Sequence, residues 1–416
     1  MRDSVTLGVI TDVKMGQSPP GDTYNEEGNG LPFYQGVRNF NYRFPTPQVY
    51  CTKPSRVAEP GDILLSIRAP IGRVNVANER CATGRGVAII KAKDPDDARY
   101  IEFVLRDKES YWNKLESGGS IFGNATRTDL IDFELPWPRK LIRCKIASIL
   151  SAYDDLIENN LKRIKILEVM AQNLYREWFV KFRFPGHENV RFVDSPLGKI
   201  PEGWEVKELG EVVEIYRGRS YRTSDLSIEE GLPFINLKCV NRDGGFRKTG
   251  IRKYKGQYKE SNLVHRGDII VAITDMTQER RIVARAALVP ALDKDYGVYS
   301  MDLVRIEPKG SDMKFFLYSL LRYSSFSDQV KQYANGANVL HLQPDRIKDY
   351  VFCLPQEEIS ERFNDLAESL YYQIEILATK NTKLSKSRDL LLPKLISGEI
   401  DVSEIDIIIE EEANNE

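Results

Sequence analysis

Histidine and cysteine are scarce in this chain of 416 residues, with three of the first and five of the second. Cys51, Cys81, Cys144, Cys239 and Cys353 stand far apart and form no C-x-x-C pair. An odd number of scattered thiols suits a reducing compartment better than a disulfide framework. His187, His265 and His341 have no Cys or carboxylate at ligand spacing, so no metal is expected. A G-x-x-x-x-G-K-[ST] phosphate loop is missing, since Gly198-Lys199 lacks everything around it. Gly84-Arg85-Gly86 is too short for a dinucleotide cradle and reads as a turn. Ser18-Pro19-Pro20-Gly21 lacks both flanks of the [N/D]-P-P-[F/Y/W] loop expected of an enzyme that methylates amino groups. Asp194 with Glu205-x-Lys207 imitates the carboxylates and lysine of a metal-dependent nuclease but falls in a stretch that reads as a connector. No catalytic residue and no cofactor is therefore expected. The opening Met1-Arg2-Asp3-Ser4 has no apolar core of a signal peptide, and no stretch approaches the ~18 apolar residues of a membrane span. The expectation is a cytoplasmic protein with no membrane partner.

Excess positive charge is also missing: 59 Lys and Arg face 61 Asp and Glu. A net charge of −2 alone would argue against a nucleic-acid partner. The balance is uneven, however. Residues 356–416 hold six Lys and Arg against fifteen Asp and Glu, a local −9 that leaves residues 1–355 at +7. The acidity ends in Glu410-Glu411-Glu412, which reads as a solvated tail.

The chain repeats itself. Gly30-Leu31-Pro32-Phe33 recurs as Gly231-Leu232-Pro233-Phe234, and Gly61-Asp62-Ile63-Leu64 as Gly267-Asp268-Ile269-Ile270. Leu7-Gly8 answers to Leu209-Gly210, Gly119 to Gly336, and residues 132–138 to 349–355. Each match is weak, but their shared order and nearly constant offset indicate two diverged copies of one unit. Each copy opens with short strand-like runs, such as Val87-Ala88-Ile89-Ile90 and Ile269-Ile270-Val271-Ala272-Ile273. A short helical stretch follows, 98–114 in the first copy and 312–333 in the second. A long helical pattern then closes each copy just after a proline. Between the copies, the Pro- and Gly-rich stretch from Phe184-Pro185-Gly186 to Pro201-Glu202-Gly203-Trp204 reads as a connector.

The closing helices carry the sharpest pattern. In the first, apolar or small positions run Ile146, Ile149, Tyr153, Ile157, Asn160, Ile164, Leu167, Ala171, Leu174 and Trp178. In the second they run Phe363, Leu366, Leu370, Ile374, Leu377, Asn381, Leu384, Arg388, Leu391 and Leu395. Alternating steps of three and four with one doubled four describe a coiled-coil seam with a stutter, about 48 Å long at ~1.5 Å per residue. If the helices are antiparallel, partners share a nearly constant sum of residue numbers. Setting Ile146 against Leu395 then sets Tyr153 against Arg388, Trp178 against Phe363, and Asn160 against Asn381, the two amides of the seams. Apolar residues outside the seam, Leu156, Leu161, Met170, Tyr175 and Phe179, would be left for a partner protein.

Two windows combine cations, amides and aromatics. Residues 28–58 contain no acid but hold Arg38, Arg43, Lys53 and Arg56 among Tyr34, Phe40, Tyr42, Phe44 and Tyr50. Residues 242–259 hold seven Lys and Arg against one acid, Asp243. Cations of this kind neutralise phosphates, while Arg, Asn and Gln also make paired contacts with base edges. The candidate readers of double-stranded DNA are Gln35, Arg38, Asn39, Asn41 and Arg43 in the first copy. In the second they are Asn236, Lys238, Asn241, Arg242, Arg247 and Lys248.

Three stretches resemble the specificity subunits of type I restriction–modification systems: Gly61-Asp62-Ile63-Leu64-Leu65-Ser66 with Ala69-Pro70-Ile71-Gly72; Gly198-Lys199-Ile200-Pro201-Glu202-Gly203-Trp204; and 388–400, Arg388-Asp389-Leu390-Leu391-Leu392-Pro393-Lys394-Leu395-Ile396-Ser397-Gly398-Glu399-Ile400. The resemblance implies an α+β fold in which two pseudo-repeated target-recognition domains are separated by two long antiparallel coiled-coil helices. On that pattern, residues 1–140 and 208–355 are the recognition domains and 141–180 and 356–397 the spacer helices. Residues 181–207 are then the connector and 398–416 the acidic tail. It further implies a non-catalytic adaptor that reads a bipartite asymmetric DNA site. Two modification subunits, methylating adenine with S-adenosylmethionine, would grip the helices, and two motor-nuclease restriction subunits would join through them. Ile273-Thr274-Asp275-Met276 departs from the Ile67-Arg68-Ala69-Pro70 of the first copy, which leaves the bases read unassigned. The alternatives are a similar recognition subunit of another methylation-based defence system, a free-standing DNA methyltransferase or nuclease, and a helical scaffold that does not touch DNA.

Overall fold

Residues 140–175 contain neither glycine nor proline, so nothing in the backbone interrupts a helix there. In the computed structural model, which describes residues 4–112, 123–310 and 313–406, they form one continuous helix. Four helices organise the chain: α1 (Ala98–Asp107), α2 (Lys140–Tyr175), α3 (Lys314–Tyr323) and α4 (Glu357–Ser397). A π-helical turn, Arg176–Val180, closes α2 and buries Trp178 and Phe179. Helix α4 stops at Gly398, whose φ of 74° is the left-handed conformation that a helix C-terminus favours. Among the described residues no helix is long and apolar enough to cross a membrane.

The second short helix ends earlier than the sequence pattern suggests. Helix α3 breaks at Ser324 and Ser325, and the following residues form a separate helix, Phe326–Val330, and a 3-10 turn, Lys331–Tyr333. The far end of the expected 98–114 stretch, residue 312, Gly119 and the acidic run 410–412 lie outside the described residues.

The chain folds as two compact units. One comprises the residues up to Lys162 with those from Thr379 onward, and the other is Arg163–Ala378. The first contains a four-stranded antiparallel sheet in the order Thr11–Met15, Val87–Ala92, Ile63–Ser66, Val74–Val76. Beside it a five-stranded sheet runs Tyr24–Asn25, Tyr50–Cys51, Leu31–Tyr34, Cys81–Thr83, Val57–Ala58, with one parallel pair, Phe33 opposite Ala82. The second unit repeats this strand for strand. Its four-stranded sheet is Val213–Arg217, Leu303–Pro308, Ile269–Ala272, Ala286–Leu288, and the parallel pair of its five-stranded sheet sets Phe234 opposite Val298. Recurrence of the parallel pair matters because such a pair needs a crossover rather than a hairpin, so chance similarity does not produce it twice.

Each unit takes part of both long helices into its own core. In the first, Ile146, Ala147 and Leu150 of α2 are buried with Leu392, Leu395 and Ile396 of α4, against Tyr100, Phe103 and Leu130. In the second, Ala171 and Tyr175 are buried with Phe363, Ala367 and Tyr371. The stretch that reads as a connector is also part of this second core. It forms a hairpin, Phe192–Ser195 with Gly198–Pro201, and Phe184, Ile200 and Trp204 are buried. Its Pro and Gly residues shape turns; its aromatics hold it down.

The helices are antiparallel, at the expected register. Asn160 Nδ2 donates to Asn381 Oδ1 at 2.8 Å, with both residues 9% exposed, and Asn381 Nδ2 donates to the Ile157 carbonyl. In the second unit the Trp178 and Phe363 rings meet edge to face, 5.8 Å apart. Three seam details differ from the pattern. Leu366 is half exposed, and Ala367, whose small side chain admits the neighbouring aromatics, is buried in its place. Arg388 bonds to Asp154 rather than facing Tyr153. Tyr175 and Phe179 are buried in the second unit's own core, whereas Leu156, Leu161 and Met170 are exposed as expected.

Replacing one member of the asparagine pair strands the other in an apolar seam. Asn160→Ala is expected to cost about 1–3 kcal/mol of unfolding free energy, measured as a lowered urea midpoint. Asn160→Leu combined with Asn381→Leu should recover most of it. A double variant as weak as the single one would show that the amides do not act as a pair.

Candidate nucleic-acid interface

The first window leaves the strand Leu31–Tyr34 and turns at Val37–Asn39. Gln35 is exposed and lies across Gly84 and Gly86, where a Cβ on residue 86 would come within 2.1 Å of the Gln35 carbonyl oxygen. Glycine at 86 is thus required by close backbone approach. Arg85, between these glycines, is exposed beside Gln35 with its Nε 3.3 Å from Ser18 Oγ. Beyond the turn the loop closes on itself. Asn39 Nδ2 donates to the Thr46 carbonyl at 3.0 Å, Thr46 N to the Asn39 carbonyl at 2.9 Å, and Asn41 Nδ2 to Thr46 Oγ1 at 2.5 Å. The Asn41 backbone pairs with the Asn75 side chain in both directions. Gln35, Arg38 and Asn41 are exposed and Asn39 is partly so.

Arg43 is placed differently. Its guanidinium stacks 4.7 Å from the Phe44 ring centre, and ion pairs reach Asp155 at 3.4 Å and Glu102 at 3.8 Å. Burial pulls its pKa down, against the pull of Glu102. Next to it, the Tyr42 hydroxyl donates to Asp154 at 2.7 Å. Burial, with the Asp154 charge, pushes the Tyr42 phenol up, so it stays protonated.

The second window is a loop braced from inside. Asn236, 8% exposed, accepts from Lys238 N at 2.8 Å and donates to the Gly250 carbonyl at 3.0 Å. Arg247 Nε bonds the Lys238 carbonyl at 2.7 Å. A tight turn joins Asn241 and Gly245, whose backbones bond at 3.0 Å, with Gly244 and Gly245 both at positive φ. Arg242 is exposed on that turn; Lys238 and Arg247 are exposed too, and Asn241 partly so. Lys248 is half buried, and burial holds its ammonium below the ordinary lysine value although the Glu375 charge opposes this.

Of the eleven candidate readers, then, Arg43 and Asn236 are committed to the protein's own framework. Asn236 spends one donor and one acceptor inside the loop and is buried, so what remains of its amide does not reach the surface, and sequence spacing does not reveal that commitment. Sequence reasoning also passed over the group that receives Tyr42 and Arg43. Asp154, with no exposed side-chain surface, takes Arg106 at 3.0 Å, Arg388 at 2.7 Å and Arg99 at 3.4 Å. Glu102, 1% exposed, pairs with Arg99 and Arg106. The spacing Arg99, Glu102, Arg106 on α1 is the signal that could have found it, since residues three and four apart share a helix face. Burial pushes the Asp154 carboxyl up, but the Arg106 charge, the Tyr42 hydroxyl and Arg388 more than offset this and leave it below the usual carboxylate range.

Among the described residues no group of three His, Cys, Asp or Glu could hold a metal ion. Lys207, from the apparent nuclease pattern, pairs on the surface with Glu205 at 3.1 Å and Glu211 at 3.5 Å. That is an ordinary solvated ion pair.

Two loops of cations and amides thus lie at matching places in a doubled α+β unit with long helices. Residues 3–169 and 201–386 match the type I restriction modification DNA specificity domain, and the chain belongs to that family. It is 29% identical over 359 residues to the type I restriction enzyme MjaIX specificity subunit of Methanocaldococcus jannaschii, covering 84% of this chain and 80% of the relative. It is 22% identical over 361 residues to the type I restriction enzyme HindI specificity subunit of Haemophilus influenzae, covering 72% of this chain and 76% of that one. The S subunit of a type I restriction–modification system from M. genitalium shares the fold, with a TM-score of 0.57 over 95% of this chain and 96% of that one at 15% identity. The chain is a type I specificity subunit, a DNA-recognition component with no catalysis of its own.

Two predictions follow from the side-chain placements. Arg38→Ala and Arg242→Ala should each cost about 1–3 kcal/mol of binding to the cognate site while leaving the melting temperature unchanged. A loss equal on all duplexes would make them phosphate contacts. The second concerns acid. A carboxyl whose folded pKa lies below its unfolded value stabilises fully above the unfolded value, about 4, and loses that contribution as pH falls through the folded one. The melting temperature should therefore drop more steeply below about pH 4 in the natural protein than in Asp154→Asn, and parallel curves would refute this.

Proposed function

We propose that this chain reads a bipartite, asymmetric DNA sequence, one half per globular unit, and carries modification and restriction subunits on its long helices. The observation behind the reading is the doubling: two loops of different sequence occur at the same place of one repeated fold. Two unlike readers joined in one chain suit two unlike half-sites. Residues 1–140 and 208–355 are the reading domains and 141–180 and 356–397 the helical spacers, joined by 181–207 and followed by the tail 398–416. The readers are Gln35, Arg38, Asn39 and Asn41, with Arg85 beside them, and in the second domain Lys238, Asn241, Arg242 and Arg247. Lys248, desolvated at the foot of its loop, suits a phosphate contact. Arg43 and Asn236 support the loops instead.

The helices supply the partner surface. Leu156, Leu161 and Leu390 in the first unit, and Ile166, Val169 and Met170 in the second, are exposed apolar side chains. On this reading two adenine-methylating modification subunits cover them, and two motor-nuclease subunits join through these. Methyl-donor binding then belongs to the modification subunits, and the isolated chain binds no S-adenosylmethionine.

The test is a domain exchange. Residues 1–140 are replaced by the corresponding domain of another specificity subunit, and methylated motifs are mapped across a genome expressing the modification subunit. One half of the motif should change and the other persist. A change in both halves, or in neither, overturns the reading.

A further inference from the structure

Four elements of the first unit meet at one buried cluster of charges. Asp154 comes from α2, Arg388 from α4, Arg99, Glu102 and Arg106 from α1, and Tyr42 and Arg43 from the loop that carries Asn39 and Asn41. Arg388 also bonds the Tyr42 hydroxyl. At the margin Arg388 pairs with Asp389 at 2.6 Å and Arg43 with Asp155 at 3.4 Å, so four arginines meet four carboxylates.

Such a cluster is a poor device for stability alone. Removing charges from water costs so much that apolar residues of similar volume often hold two elements together as well or better. Here the apolar alternative is already present, since Ile146, Leu150, Leu392 and Leu395 join the same helices to the same unit. What the cluster adds is direction. Hydrogen bonds and fork-shaped guanidinium contacts fix orientation, where apolar packing permits sliding. The loop from Asn39 to Thr46 is closed by its own hydrogen bonds, so holding Tyr42 and Arg43 holds the readers beside them.

The other unit carries an arginine at the corresponding place on its short helix. Arg106 is the ninth residue of α1, and Arg322 is the ninth of α3. Arg322 likewise reaches the long helix α2, donating to Glu168 at 2.9 Å, and bonds the Tyr318 hydroxyl at 3.0 Å. The arginine keeps its place while its acceptors differ, which marks the short helix as the joint in both copies.

We propose that Asp154 is a positioning residue for DNA readout, holding the loop of Gln35, Arg38, Asn39 and Asn41 at a set orientation on the long helices. This rests on that loop reading one half-site. Tyr42→Phe removes a single hydroxyl and Asp154→Asn removes the central charge. Both are tested as full-length chains in complex with the modification subunit, with folding checked by circular dichroism and elution volume. Affinity for the cognate duplex should fall about tenfold, the equivalent of ~1.4 kcal/mol, while affinity for unrelated duplex at the same salt stays unchanged. Methylation mapping should show one half of the motif relaxed and the other intact. If Asp154→Asn does not fold, Tyr42→Phe carries the test. An unchanged motif and affinity, or an equal loss on all duplexes, overturns the proposal. If the unaltered complex itself reads no split motif, it is the proposed function that fails, and the two failures are thereby distinguished.

Discussion

An asparagine amide buried between apolar helices is stable only where its donor and acceptor are both used. Asn160 donates to Asn381, which accepts that bond and in turn donates to the Ile157 carbonyl, so both ends of the Asn381 amide are used. A slip of one helix past the other by a single turn would strand both amides, so the pair penalises every register but one. Other contacts of the long helices depend on that register. Within the same unit, Asp154 faces Arg388 two turns further along.

Polar contacts inside this protein divide into those that select an arrangement and those that satisfy a loop. The asparagine pair and the cluster around Asp154 belong to the first kind, because each joins elements distant in sequence and admits one geometry. Asn236 and Thr46 belong to the second: they tie a loop to itself and leave its exposed side chains available. Readout needs both, since a contact with a base edge is specific only when the side chain arrives at a defined angle.

Much of the fold was legible in the sequence because repetition and periodicity are properties of spacing. The doubled unit was visible in Gly30-Leu31-Pro32-Phe33 and its counterpart, and the antiparallel register in the positions of two asparagines. That the connecting stretch is packed was not legible, because Pro and Gly announce turns without saying whether the turns are packed. Phe184, Ile200 and Trp204 are, since aromatics beside a core are drawn into it. At the seam, Leu366 and Ala367 were exchanged because a stutter can fall at either of two neighbouring positions, and only the size of the facing aromatics chooses.

The candidate interface was legible as windows but not as roles. Composition located both loops, yet Arg38 and Arg43 are five residues apart in the same loop and only Arg38 faces solvent. By itself the sequence determined the family, the doubling, the paired helices and the places where cations and amides gather, all of which follow from order and spacing along the chain. The tertiary structure alone decided which of those side chains are free. That depends on Asp154, Glu102 and Gly250, which lie far along the chain or on another element and become neighbours only when the backbone closes around them.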